Sequence, residues 1–205
     1  MLVEINPNNI DDRLIQQAVK ILRKGGLIIF PTDTVYAIGC DLNNKKALNA
    51  LASFKGLKLK KTRFSIICYD IRHLSEYVKH IDRPAFKTLN KSLPGPFTFI
   101  LQATNEIPRL FDTKRKEIGI RIPDNNIIRE IVKELGNPVV TTSLHDKQDS
   151  IKEYFIDPYV IYERFDDKVD LIIDGGSGLL ETSTVVDLSK GELEIIRQGI
   201  GELEI

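Results

Sequence analysis

The side chains with chemical capacity in this chain gather where short apolar runs end. Residues 27–30 form such a run after Gly25-Gly26; Pro31 ends it, and Thr32, Asp33, Thr34 and Tyr36 follow. A buried strand that hands small polar side chains to a loop is a common way for an α/β protein to build a ligand site. The same residues also suit a plain β-turn closed by an Asx-type hydrogen bond and followed by a second strand. Three later runs carry hydroxyls in the same way: Thr98, then Thr141 with Ser143, then Ser183 with Thr184. Lone threonines in strands are ordinary. Arg121 and Arg197 are not, because both sit in apolar strands and a buried guanidinium needs an anionic partner. Gathered in one concave mouth, these groups make a site rich in hydroxyls and cations and poor in acid. Such a site suits a nucleotide phosphate or a carboxylate. It has no Ser-His-Asp order, no paired acids near a histidine and no Walker lysine motif.

A second feature is the stretch 55–63, KGLKLKKTR, in which five of nine residues are cationic and none is acidic. Charge runs usually form solvated, mobile loops. This one follows a helical pattern and precedes a buried strand, a placement that suits closure over phosphates. The glycine-rich stretch 174–178, DGGSG, is weaker, since such turns are common in hairpins.

The elements that must position these groups read as follows. Helices are expected over 12–24, capped by Asp11 or Asp12 and stopped by Gly25-Gly26, and over 45–54, capped by Asn43 or Asn44. Others are expected over 73–77, 84–91 with Pro84 in the first turn, 127–135 closed by Gly136, and from 158 to about 165 after Asp157. Strands are expected over 2–5 at an edge, 27–30, 64–68, 97–102, 117–122, 138–142, 169–173, 183–187 and 194–197. Residues 108–112 read as irregular and 146–154 as a polar loop. Strands and helices mix without strict βαβ alternation, which argues for a mixed, twisted α/β sheet with helices on its faces.

The 205 residues suit one domain, with 42% apolar and 28% charged content. With 29 basic and 29 acidic residues, attraction to nucleic acid is not a global property and needs a local patch. Cys40 and Cys68 read as small buried thiols, and His73, His80 and His145 share no metal-ligand spacing with them. No apolar run is long enough to span a membrane, and the expectation is a cytoplasmic protein.

Taken together, PTDTVYAIGCD at 31–41, LPGPFTFIL at 93–101, IGIRIP at 118–123, PVVTTSL at 138–144, VDLIIDGG at 169–176, STVVDL at 183–188 and IIRQG at 195–199 resemble the YrdC/YciO family. That family holds the L-threonylcarbamoyladenylate synthases and their relatives, and FSIICYDI at 64–71, TTSL and IIDGG look more like its YciO branch. The resemblance covers nearly the whole chain and implies a single-domain twisted α/β sheet with a large basic cavity. In the synthases, threonine and bicarbonate form N-carboxythreonine, which attacks the α-phosphate of ATP, with Mg2+ on the phosphates and pyrophosphate as the leaving group. The product serves tRNA modification. The resemblance assigns Thr32, Thr34, Tyr36, Arg121 and Ser183 to the threonine side. It assigns Lys55, Thr98, Thr141, Ser143 and Arg197 to the nucleotide, with Lys55 and Arg121 as the catalytic pair. The family's K-x-R reads Lys55-Gly56-Leu57 here, which leaves Lys58 or Arg63 to replace the arginine. Its S-x-N reads Ser143-Leu144-His145, and a proline-asparagine-proline stretch is missing. These departures fall on the phosphate side, so binding of tRNA or double-stranded RNA without synthesis is the alternative.

Overall fold

The computed structural model describes residues 1–144 and 155–203; His145 and the expected polar loop 146–154 lie outside the described residues. The elements are β1 (Leu2–Glu4), α1 (Asp12–Arg23), β2 (Ile28–Phe30), β3 (Ala37–Asp41), α2 (Lys45–Phe54), β4 (Ser65–Ile67), α3 (Ile71–Ser75), α4 (Arg83–Ser92), β5 (Phe97–Gln102), α5 (Glu106–Leu110), β6 (Glu117–Arg121), α6 (Asn126–Leu135), β7 (Val139–Ser143), α7 (Pro158–Phe165), β8 (Leu171–Asp174), β9 (Thr184–Asp187) and β10 (Glu194–Arg197). Local chemistry sets their limits. Asp11, Asn44, Asn125 and Asp157 each accept a hydrogen bond from a backbone N–H of the first turn of the following helix. Gly136 closes α6 at φ 82°, a conformation that favours glycine.

The ten strands among the described residues join one sheet in the order β1-β8-β2-β3-β7-β4-β6-β5-β9-β10. The β1–β8, β2–β8, β4–β6 and β5–β9 pairs are parallel and the remaining pairs antiparallel. The sheet is therefore mixed, as the absence of βαβ alternation implies.

Strand side chains alternate between faces, and the two faces are covered unequally. Ile38, Val140, Ile66, Ile120, Phe99 and Val186 point into a core closed by α2, α7, Leu74, Leu89 and Ile107. On the opposite face, Ile28, Phe30, Ala37, Val139, Ile67, Leu171 and Ile173 pack against Ile15, Ala18, Val19 and Leu22 of α1 and Ile127, Ile128, Ile131 and Val132 of α6. That second cover stops short. Ser65, Gly119, Arg121, Thr98, Ile100, Val185 and Asp187 share this face by register, yet none belongs to the core under α1 and α6. Half of one face is thus left open, floored by glycine, hydroxyls and an arginine.

Two sequence expectations change here. Residues 106–110, which overlap the stretch 108–112 read as irregular, form α5, because Ile107 and Phe111 are both buried and fix its ends. The cationic stretch 55–63 is not a free loop: a 3-10 turn spans Leu59–Lys61, Leu59 is buried, and the Thr62 hydroxyl donates to the Leu59 carbonyl at 2.7 Å.

Candidate functional site

Arg121 ends β6 and is buried, 5% exposed. Its Nη2 donates to Asp33 Oδ1 at 2.9 Å and to Thr34 Oγ1 at 3.0 Å. The other Asp33 oxygen accepts from the backbone N–H of Asp124 at 2.9 Å, so one carboxylate ties the β2–β3 loop to β6 and to the start of α6. The hydroxyls continue the chain. Thr32 donates to the Val35 carbonyl at 2.8 Å, so it accepts from Thr34 across 3.0 Å, and Thr34 in turn accepts from Arg121. Arg121 Nε is buried and has no hydrogen-bond partner among the described residues. An unpaired buried donor on a cation is costly unless an anion arrives to meet it. Burial pushes the guanidinium pKa down; the Asp33 carboxylate opposes this, and the charge of nearby Arg197 adds to it.

A second group of hydroxyls stands on the neighbouring strands. Thr98 and Ser183, both buried, share a hydrogen bond at 2.8 Å. Arg197 Nη2 donates to the Ser183 carbonyl at 2.8 Å and reaches its Oγ at 3.5 Å. Phe99 pairs with Ile120, so the register carries Thr98 opposite Arg121 on the same face. Arg197 departs from expectation: it lies on the outermost strand and is exposed, and its hydrogen-bond partners among the described residues are neutral oxygens rather than a carboxylate.

Beside these residues a cavity of about 440 Å³ opens over the uncovered half-sheet. Ser65, Thr98, Gly119 and Val185 floor it, Phe64, Ile107 and Phe111 wall it, and three cations and two carboxylates stand around it: Arg63, Arg115, Lys190, Glu117 and Asp187. Of the expected site residues, Thr98 and Arg63 line this cavity while Arg121, Ser183 and Arg197 do not, and its lining is mixed rather than purely basic. Among the described residues, no group of three or more His, Cys, Asp or Glu is arranged to hold a metal ion.

The other expected residues are placed less centrally. Tyr36 is fully buried, and its hydroxyl donates to the Gly176 carbonyl at 2.7 Å and accepts from Gly175 N–H at 3.3 Å. It latches the glycine-rich turn to the β2–β3 loop, and its hydroxyl is not offered to a ligand. The Thr141 hydroxyl is buried and donates to the Ile38 carbonyl at 3.2 Å. Ser143 pairs with Ala37 at the end of β7, half-buried. Lys55 caps the end of α2, half-buried. Arg63 reaches the cavity rim, whereas Lys58 is exposed and does not line it. Asp33 and Asp187 were not among the expected binding residues. For Asp33 the available signal was its place between Thr32 and Thr34.

Burial raises the Tyr36 pKa to about 12, against 10.0 for an ordinary phenol. The folded state therefore holds this proton longer than the unfolded chain. The associated stability is complete below pH 10 and is lost as pH rises to about 12, about 2–3 kcal/mol in all. Urea denaturation of wild type and Tyr36→Phe across that window is expected to show a steeper alkaline decline in wild type. Tyr77, also raised to about 12, contributes equally to both proteins.

The strand ends of a mixed α/β sheet thus gather a buried arginine and four hydroxyls. Residues 20–199 match the family model Sua5_yciO_yrdC, described as Telomere recombination, and the chain belongs to that Sua5/YciO/YrdC family. It is 39% identical over 201 residues to the Escherichia coli K12 protein named Uncharacterized protein YciO, covering 98% of this chain and 96% of that one. The crystal structure of E. coli YciO superposes with a TM-score of 0.88, covering 98% of this chain and 97% of the other. A Threonylcarbamoyl-AMP synthase of Coxiella burnetii is 29% identical over 181 residues, 87% of this chain and 95% of its own. The P. abyssi Sua5 structure complexed with L-threonine has a TM-score of 0.86 at 24% identity, a likeness of fold, and this chain spans 62% of it. No helix among the described residues is long and apolar enough to cross a membrane.

Proposed function

We propose that this protein binds ATP, as its Mg2+ complex, together with L-threonine on the open half-sheet, and forms threonylcarbamoyl-AMP from them and bicarbonate. The observation that carries this reading is the buried Arg121, whose Nη2 donates to Asp33 and Thr34 and whose Nε has no hydrogen-bond partner among the described residues. Arg121 receives the amino-acid carboxylate, with Thr32 and Thr34 setting its orientation. Thr98, Ser183 and Arg197 face the carbamate and the α-phosphate, while Lys55, Lys58, Arg63, Thr141 and Ser143 belong to the nucleotide side. The threonine nitrogen adds to the carbon of bicarbonate with loss of water. The new carboxylate then attacks the α-phosphorus, and the bond to pyrophosphate breaks. The residues contribute positioning and neutralisation of charge in a site shielded from water. The Mg2+ belongs to the triphosphate substrate. The relatives support the reading through a synthase at 29% identity and a Sua5 complexed with L-threonine. Release of pyrophosphate from ATP is expected only with both threonine and bicarbonate present, and to fall at least tenfold in Lys55→Ala; turnover no higher than in that variant would refute synthesis.

One observation favours a second reading, RNA binding without adenylation. Leu57, at the place of the family's arginine, is an apolar side chain 47% exposed, while Lys58, Lys60 and Lys61 beside it face solvent. Binding of tRNA or double-stranded RNA is then expected to weaken with salt, and the triple change of those lysines to alanine to flatten that dependence by roughly three counterions. Unchanged affinity in the triple variant would remove this loop as the contact.

A further inference from the structure

We propose that the cavity beside Arg121 holds the nucleoside end of the nucleotide, and that the Asp187 carboxylate there recognises the ribose hydroxyls. The inference rests on the nucleotide reading of the site and adds its orientation and its sugar preference.

The groups change character along the strands. Thr98 lines the cavity, and beyond it, outside the lining itself, stand Ser183 and the guanidiniums of Arg121 and Arg197. Four residues along β9, about 13 Å at strand rise, stands Asp187, which lines the cavity with Glu117 at the corresponding end of β6. Cations hold phosphate and carboxylate; a carboxylate repels phosphate and accepts readily from neutral hydroxyls. A nucleotide laid over this face is therefore held with its phosphate toward Arg121 and its sugar toward Asp187.

Asp187 is equipped for that contact. It is half-buried at the end of β9, and one oxygen accepts from the Ser189 N–H at 2.8 Å, which fixes the carboxylate. No other hydrogen bond to it is present among the described residues, and the residue lines the cavity. Two adjacent sugar hydroxyls match a carboxylate acceptor, as a phosphate does not.

The walls suit a base. The Phe64 and Phe111 rings lie 6.4 Å apart at 59°, with Ile107 beside them along the cavity. A flat heteroaromatic ring gains from such apolar, aromatic surface. The floor is kept low by Gly119, where a Cβ would come within 2.6 Å of Ser65 Oγ and 3.3 Å of Thr98 Cγ2. The cations on this side do not compete for the sugar. Arg115 donates to the Thr62 carbonyl at 2.6 Å, and Arg63 and Lys190 are exposed at the rim. The volume of about 440 Å³ lies within the usual range for a small-molecule site.

The test is calorimetric binding of AMP, 2′-deoxy-AMP and 3′-deoxy-AMP to the full chain. Wild type is expected to bind AMP at least about tenfold more tightly than either deoxy analogue, the size of a hydrogen bond to a charged acceptor. Asp187→Ala, at a half-exposed position, is expected to lose that preference with its melting temperature retained. Gly119→Val, which fills the floor, is expected to weaken all three ligands together. Equal affinities in wild type, or an unchanged preference in Asp187→Ala, overturn the role of Asp187 while the nucleotide reading stands. Wild-type affinity for AMP in folded Gly119→Val overturns the cavity assignment. Absence of binding by all three to wild type overturns the nucleotide reading and this inference with it.

Discussion

Replacing Arg121 by alanine is expected to lose both ligand binding and a large part of the folding stability. The side chain is 5% exposed and pairs with Asp33, whose own side chain is 9% exposed. Removing the cation strands the carboxylate, which among the described residues keeps only the Asp124 N–H. Breaking one side of a buried pair costs about 3–5 kcal/mol, a large share of a typical domain's stability. The functional loss has a separate origin: with the guanidinium goes the Nε, which has no hydrogen-bond partner among the described residues and is proposed to receive the ligand carboxylate. The double variant Asp33→Asn, Arg121→Met separates the two effects. It removes both charges, so urea denaturation is expected to recover most of the lost stability, while calorimetry with L-threonine and ATP shows no recovery of binding. Recovery of binding in that variant would show that the arginine acts only as a structural ion-pair partner.

Truncating Tyr36 to alanine is expected to be comparably severe for stability, at about 3–5 kcal/mol. It is among the largest fully buried side chains, and a Cβ on Gly178 would come within 2.8 Å of its ring. Its hydroxyl holds both Gly175 and Gly176, and the Leu179 N–H donates to the Thr34 carbonyl at 3.1 Å in the same latch. Loss of the ring therefore leaves a cavity and frees the turn that backs Thr34. Tyr36→Phe keeps the packing and removes only the hydroxyl, a loss of about 1–3 kcal/mol. Denaturation midpoints of the two variants measure the difference. Equal losses would mean that the hydroxyl, and not the ring, carries the effect.

The helices were legible where a long apolar stripe met a capping residue. The stripe of α1 is Ile15, Ala18, Val19 and Leu22, and that of α2 is Ala47, Leu48, Leu51 and Ala52; both are buried as the periodicity requires. Helix α5 was not legible, because five residues that include Pro108 carry too little periodicity to register. In the cationic stretch the charges masked a smaller signal: Leu59 among lysines is an anchor, and it is buried. The strand ends that carry the site could be read from Pro31 and from the hydroxyls, but their pairings could not. Asp33 and Arg121 are 88 residues apart in sequence, and Tyr36 and Gly176 are 140 apart. Contacts at such separation follow from strand order, which no local pattern encodes. The same reason explains Arg197. Its apolar neighbours Ile195 and Ile196 suggest burial, yet β10 is an edge strand and both are largely exposed. The open half-face itself is also a property of topology, since it exists only because α1 and α6 stop short of β5, β6 and β9.

The most direct test of the site is a crystal structure with L-threonine and a non-hydrolysable ATP analogue bound. The expected result is the threonine carboxylate within hydrogen-bond distance of Arg121 Nε, its hydroxyl or amine near Thr32 and Thr34, and the α-phosphate near Thr98, Ser183 and Arg197. A structure in which both ligands bind away from the open half-sheet, with Arg121 Nε still unpaired, would contradict the account.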